Sequence, residues 1–115
     1  MCGISGIASK HLAPPDLQST VERMARSIRH RGPDGTFVQC FGPPAISHGV
    51  GLGHNRLAII DVSDAGREPM TNEDGTLWLV FNGEIYNFED LRPRLEAAGH
   101  RFHSRTDAEV ILHLY

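Results

Sequence analysis

The chain opens Met1-Cys2-Gly3-Ile4-Ser5-Gly6-Ile7, and the reading of this stretch governs the rest. Cysteine is small enough at the second position for the initiator methionine to be trimmed, which leaves Cys2 with both a thiol and a free α-amino group. An α-amino group titrates at about 7.7–8.0 and a free thiol at about 8.5, so one residue then holds a nucleophile and its own general base. Gly3 and Gly6 leave room for a small substrate to approach the backbone beside the thiol. Ile4 and Ile7 are expected to anchor a strand in a core. The same cysteine also reads as one more small apolar side chain near a chain end. The residues that follow decide between the two.

With 115 residues, the chain is one domain or part of one. An apolar fraction of 40% and a charged fraction of 22% are ordinary for a globular protein with a modest core. A net charge of −3 gives no electrostatic reason to expect nucleic acid or an anionic membrane as partner. The first nine residues lack the basic start and long apolar run of a signal peptide, and no apolar run is long enough to cross a bilayer. Cys2 and Cys40 form neither a disulfide framework nor a zinc spacing. The expected setting is cytoplasmic, with reduced thiols.

Residues 2 to 8 read as a short strand. Pro14-Pro15-Asp16 turns into a helix whose inner stripe is Leu17, Val21, Met24, Ala25 and Ile28. His30-Arg31-Gly32-Pro33-Asp34-Gly35 is a tight charged loop with a structural or binding role. Thr36 to Phe41 has strand composition and ends at Gly42-Pro43-Pro44, with Cys40 as an inert packing residue. A second β region spans Ala45 to Ile60. Its glycines imply close backbone approach or a bulge, and Leu57-Ala58-Ile59-Ile60 reads as a strand buried on both faces. Arg56, if drawn inside beside such a run, needs an anionic partner, and a carboxylate-bearing ligand suits its planar fork; otherwise its head lies in water.

Asp61 to Gly75 is a polar loop ending in a hairpin turn at Asn72-Glu73-Asp74-Gly75. Thr76 to Phe81 is the clearest strand of the chain and runs into Asn82-Gly83. That pair reads as an ordinary turn, or as two donors, the Asn82 amide and the Gly83 N–H, aimed at an oxyanion. Asn87 is the expected N-cap of a helix from about Phe88 to Ala98, with Leu91, Leu95 and Ala98 inside, Gly99 at C′, and a kink or shortening at Pro93. Thr106 to Glu109 reads as a capping box that opens a last helix, with Asp107 a first-turn acid. An end at Tyr115 without cap or polar tail is expected of a fragment. None of the seven histidines falls in a metal-ligand pattern, so the sequence predicts no metal site.

Met-Cys-Gly-Ile at 1–4, Arg-His-Arg-Gly-Pro-Asp-Gly at 29–35, Gly-His-Asn-Arg-Leu-Ala-Ile-Ile-Asp at 53–61, Phe-Asn-Gly-Glu-Ile-Tyr-Asn at 81–87 and Arg-Thr-Asp-Ala-Glu-Val-Ile at 105–111 stand in order along the chain. Together they strongly resemble the class II glutamine amidotransferase domain, and within it the N-terminal part of glutamine-hydrolysing asparagine synthetase. The glucosamine-6-phosphate synthase and amidophosphoribosyltransferase branches carry different residues at these places. The resemblance implies an α+β fold of the N-terminal nucleophile hydrolase type. This is an αββα sandwich of antiparallel sheets, of which residues 1–115 would supply an incomplete part. It implies Cys2 as nucleophile, Asn82 and Gly83 as oxyanion donors, and Arg56 as the group that binds the α-carboxylate of glutamine. Leu57, Ala58, Ile59 and Ile60 would line the same pocket, and Glu84 and Asp107 would hold the α-ammonium group.

The implied reaction converts glutamine to glutamate and ammonia through a γ-glutamyl thioester, the ammonia serving ATP-dependent amidation of aspartate. The implied partners are L-glutamine and a C-terminal synthetase domain absent from this chain. No cofactor is expected in the chain itself, and ATP and Mg²⁺ are expected in the missing half. Unpaired sheet edges and an exposed apolar helix face make a stable isolated monomer unexpected, and a homodimer is one arrangement open to it. Two alternatives remain at this level: a glutaminase serving another acceptor, and a truncated remnant that binds glutamine without turning it over.

Overall fold

A computed structural model describes residues 1–44 and 46–115. Among the described residues five strands and three α-helices follow in the order β1 (Gly3–Ser9), α1 (Pro14–Ser27), β2 (Gly35–Phe41), β3 (Gly49–Arg56), β4 (Met70–Thr71), β5 (Trp78–Leu79), α2 (Phe88–Ala97) and α3 (Glu109–Leu114). The architecture is α+β with two antiparallel sheets, as the sequence predicts. One sheet has the order β1-β3-β2 and the other pairs β4 with β5.

Helix α1 lies across the three-stranded sheet and contacts each of its strands. Leu17, Val21 and Ala25, four residues apart on one helix face, are fully buried. Opposite them on β3 stand Gly49, Gly51 and Gly53, two residues apart and therefore on one sheet face. A methyl group on Gly49 would meet Leu17, one on Gly51 would meet Val21 at 3.1 Å, and one on Gly53 would meet Ala25 at 3.3 Å. Two residues of strand advance about 6.6 Å and four residues of helix about 6.0 Å, so the two periods stay in step. The glycines therefore serve close approach of the helix. The pairing of β3 with both neighbours runs without an inserted residue, so the alternative of a bulge does not hold.

Several expected features differ. Ala45, placed in the second β region by the sequence, lies outside the described residues, and β3 begins at Gly49. Ile4 does not anchor a core: strand alternation turns Gly3, Ser5 and Ile7 toward α1 and leaves Ile4 on the other face, 47% exposed. Leu57 to Ile60 is not a strand. The chain leaves the sheet after Arg56, because the Ala58 N–H is taken by the Asp34 carboxylate at 2.9 Å instead of a ladder partner. Ile59 and Ile60 are consequently exposed. The strand expected over Thr76 to Phe81 is paired only at Trp78–Leu79, where β4 runs alongside, and the Phe81 N–H turns instead to the Glu68 carboxylate.

The hairpin turn forms as expected, closed by Asn72 N–H to Leu77 O and Gly75 N–H to Asn72 O. A second core gathers Met70, Ala108 and Leu112 with Leu77, Leu79 and Phe81 against them, which fastens the hairpin to α3. Helix α2 runs through Pro93 to Ala97 and packs on α3, with Leu91 and Leu95 only half-buried and Ala98 exposed. Asn87 occupies the predicted start, yet its side chain makes no capping bond. At the other end Gly99 adopts φ +104°, and the pair of bonds from Gly99 N to Glu96 O and His100 N to Leu95 O closes a Schellman motif.

The capping box at Thr106–Glu109 is replaced by another arrangement. Glu109 is buried and its carboxylate accepts the N–H groups of His103 and Ser104, each at 2.7 Å, and the Ser104 hydroxyl. The Thr106 N–H goes to Ser104 Oγ at 3.2 Å. The acid thus ties down the bend at 103–104, and α3 starts at Glu109 itself.

Candidate active site

Strand pairing brings Cys2 and Arg56 together before any side chain is considered. Gly3 pairs with Asn55 at the end of the β1–β3 ladder, so Cys2 and Arg56 are the next residues on each strand. Beyond them the Leu57 N–H donates to Cys2 Sγ at 3.2 Å, and Sγ lies 3.6 Å from Leu57 O. The charged loop after α1 secures this corner. Arg31 Nε donates to Cys2 O at 3.1 Å, and the Asp34 N–H donates to Arg56 O at 3.0 Å. Gly32 packs so closely on β3 that an added Cβ would lie 2.2 Å from Asn55 O.

The Arg56 side chain is buried and donates through Nη2 to the backbone oxygen of Asp61. Among the described residues no carboxylate forms an ion pair with it. A buried guanidinium with only a carbonyl partner has donors to offer an anion. The 61–66 turn that holds it is itself braced. Asp61 accepts from the Ser63 hydroxyl and N–H and from the Arg105 N–H, which hold its carboxyl down at about 2.

Across from Cys2, the 82–84 segment is clamped at both ends by carboxylates. Glu68 accepts the Phe81 N–H, and Asp107 Oδ2 accepts the Ile85 N–H at 2.7 Å. Between these fixed points, among the described residues, neither the Asn82 side-chain amide nor the Gly83 N–H has a protein partner. Both donors are therefore available.

These elements enclose a cleft of about 300 Å³, large enough for an amino acid. Cys2, Arg56, Leu57, Ala58, Ile59, Ile60, Asn82, Gly83, Glu84 and Asp107 all line it, so every site residue expected from the sequence comes to one place. Glu84 stands exposed at the rim, while Asp107 is buried. Ile59 and Ile60 reach the cleft as exposed rim residues of a loop, not as part of a buried strand.

Two further lining residues were not singled out. His54 and Glu68 are buried, with His54 Nε2 3.7 Å from Glu68 Oε2. Burial pushes His54 down to about 4 and Glu68 up to about 7, the latter raised further by the Asp107 charge. At neutral pH the contact is a neutral imidazole facing a part-protonated carboxyl, so proximity alone does not make it an ion pair. In the sequence, His54 lies inside the 53–61 motif with no role of its own and Glu68 falls in a polar loop; nothing local assigns either to the site.

A thiol at the chain start, a buried guanidinium, two acids and two free donors around one amino-acid-sized cleft define a class. The chain belongs to the glutamine amidotransferase domain family, whose model matches residues 1–115. It is similar to asparagine synthetase [glutamine-hydrolyzing] 1 of Bacillus subtilis (strain 168), 43% identical over 119 residues that cover all of this chain and 17% of that protein. It is also similar to asparagine synthetase [glutamine-hydrolyzing] 2 of Oryza sativa subsp. japonica, 40% identical over all of this chain and 18% of the relative. The chain thus spans less than one fifth of the length of these relatives. Among the described residues no helix is long and apolar enough to cross a membrane.

Proposed function

We propose that this chain hydrolyses glutamine to glutamate and ammonia, and that the ammonia serves the synthesis of asparagine from aspartate by a synthetase part outside residues 1–115. The observation that carries the reading is the convergence of Cys2, Arg56, Asn82, Gly83 and Asp107 on one cleft. The similarity to glutamine-hydrolysing asparagine synthetases favours aspartate over another acceptor.

On this reading the Arg56 fork binds the α-carboxylate of glutamine, and Asp107 with Glu84 holds its α-ammonium group. The side-chain amide then points along Leu57 toward Cys2. Once Met1 is removed, the freed α-amino group of Cys2 takes the thiol proton, and the thiolate attacks the amide carbon. The carbonyl π electrons move to oxygen, and that oxyanion is held by the Asn82 amide and the Gly83 N–H. As the tetrahedral intermediate collapses, the C–N bond breaks and the leaving nitrogen receives the proton from the α-ammonium group of Cys2, departing as ammonia. Water, deprotonated by the same amine, cleaves the γ-glutamyl thioester and returns the thiol.

ATP and Mg²⁺ enter no step here. The glycine-bearing stretch at 49–53 is filled by α1 and cradles no phosphate, and the cleft groups match an amino-acid zwitterion. The test is glutamate release from glutamine by the purified chain beside a longer form of the protein and a Cys2→Ala variant. Release by the wild-type forms and none by Cys2→Ala is expected; equal release by the variant overturns the assignment.

A further inference from the structure

Beside α3, three residues distant in sequence converge: Glu73 in the hairpin turn, His100 just past α2, and His113 in α3. Glu73 Oε1 lies 3.0 Å from His100 Nδ1 and 3.3 Å from His113 Nδ1, and the three ligand atoms all lie within 4.8 Å of one another. Ligand atoms around a tetrahedral zinc bound at about 2.0–2.1 Å stand about 3.3 Å apart, so the cluster needs little adjustment to close on an ion. None of the three lines the glutamine cleft.

A second observation points the same way. The His113 side chain is 1% exposed, yet among the described residues neither ring nitrogen has a hydrogen-bond partner. A buried imidazole without a partner is costly, and a cation at Nδ1 supplies one. Behind it, Glu109 Oε1 lies 3.5 Å from Nε2, the position of the outer carboxylate that orients metal-bound histidines. Glu73 and His100 keep part of their side chains exposed, which gives the ion a way in. The Arg101 N–H donates to Glu73 Oε1 at 3.0 Å and helps hold the carboxylate in place.

We propose that Glu73, His100 and His113 form a binding site for a divalent transition-metal cation of the zinc type, with a fourth position open to water. Nitrogen and carboxylate ligands suit such a cation better than they suit Mg²⁺ or Ca²⁺. Its role is structural. It joins the β4–β5 turn, the end of α2 and α3, the elements that carry Asp107 and Phe81 to the cleft, and it goes beyond the glutamine chemistry proposed above.

The experiment is titration of the chelator-treated chain with Co²⁺ and then Zn²⁺, followed by absorption spectroscopy and thermal unfolding. Expected are one equivalent of Co²⁺ with visible d–d bands of a tetrahedral nitrogen–oxygen site, displacement by Zn²⁺, and a rise in Tm with metal. Glu73→Gln and His100→Asn, both on partly exposed side chains, should each weaken binding at least about tenfold while leaving the metal-free Tm near wild type. Because His113 is buried, the test does not depend on replacing it. Sub-stoichiometric binding, an intense near-ultraviolet thiolate–Co²⁺ band that places the ion on Cys2 or Cys40, or unchanged affinity in both variants overturns the proposal.

Discussion

Asp107 Oδ2 accepts the backbone N–H of Ile85 at 2.7 Å, so the acid proposed to bind the substrate's ammonium group also fixes the loop carrying Asn82 and Gly83. One side chain therefore links recognition at one end of glutamine to oxyanion stabilisation at the other. The two roles separate by substitution. Asp107→Asn keeps an oxygen for the Ile85 N–H and loses the charge, and it should raise KM about 10- to 100-fold with a smaller effect on kcat. Asp107→Ala also frees the loop and should lower kcat by about 100-fold as the donors lose their aim. Steady-state kinetics on both variants decides the matter; equal KM and kcat changes in the two would show that the charge has no separate role.

Arg56 presents its fork inside the protein, where a point charge on a flexible stem is a poor replacement. Arg56→Lys should raise KM for glutamine about 10- to 100-fold, because bidentate hold of the carboxylate is lost. An unchanged KM in initial-rate measurements would remove Arg56 from the carboxylate role.

Met1 stands before the nucleophile, and an acylated Cys2 nitrogen has no base to offer. Mass spectrometry of the active protein should show the mass of the chain without Met1. A variant that blocks trimming should fold with the same Tm and release no glutamate. Activity with Met1 retained would show that another group takes the thiol proton.

That these residues share one cleft was legible through five short motifs in order that resemble a known family; the residue types alone left Cys2 open as a small apolar side chain, Arg56 as a solvated head and Asn82-Gly83 as a turn. What holds them was less legible. That Leu57 to Ile60 forms a loop with Ile59 and Ile60 exposed follows from the Asp34 carboxylate claiming the Ala58 N–H, a contact 24 residues apart. The short β5 follows from Glu68 taking the Phe81 N–H across 13 residues. Glu109 looked like a capping acid at the right spacing, and its burial against the 103–104 backbone appears only once the chain has turned back on itself. The glycines of β3 read locally as either close approach or a bulge, and only the packing of α1 against them decides for close approach.

His54 and Glu68 give the pH dependence of stability an unusual form. Burial lowers His54 from its ordinary value of 6.5 to about 4, so the unfolded chain binds the extra proton in that range and stability rises with pH across it. Burial raises Glu68 from 4.5 to about 7, so the native chain binds the extra proton there and stability falls as pH rises. Between about 4.5 and 6.5 the two slopes oppose each other. Glu68→Gln keeps an acceptor for the Phe81 N–H and removes the falling slope. Its stability should therefore gain roughly 2–3 kcal/mol more than wild type does between those pH values. Urea unfolding across the range measures this, and parallel profiles for the two proteins would show that Glu68 is ionised in the folded chain.

The contact of β3 with α1 leaves little room for added volume. Gly51 is buried, and a methyl group there would lie 3.1 Å from both Val21 Cβ and Val21 Cγ1 and 3.4 Å from Cys40 Sγ. Val21 is fully buried on the helix and branched at Cβ, so it cannot rotate away without striking the sheet. Gly51→Ala should lower stability by about 1–3 kcal/mol through overpacking, although alanine in a strand is otherwise easier to order than glycine. Val21→Ala in the same chain should recover part of that loss, since it opens the space the new methyl needs. A double-mutant cycle by chemical denaturation reads the coupling directly. Strict additivity of the two losses would mean that α1 does not rest on the glycines of β3.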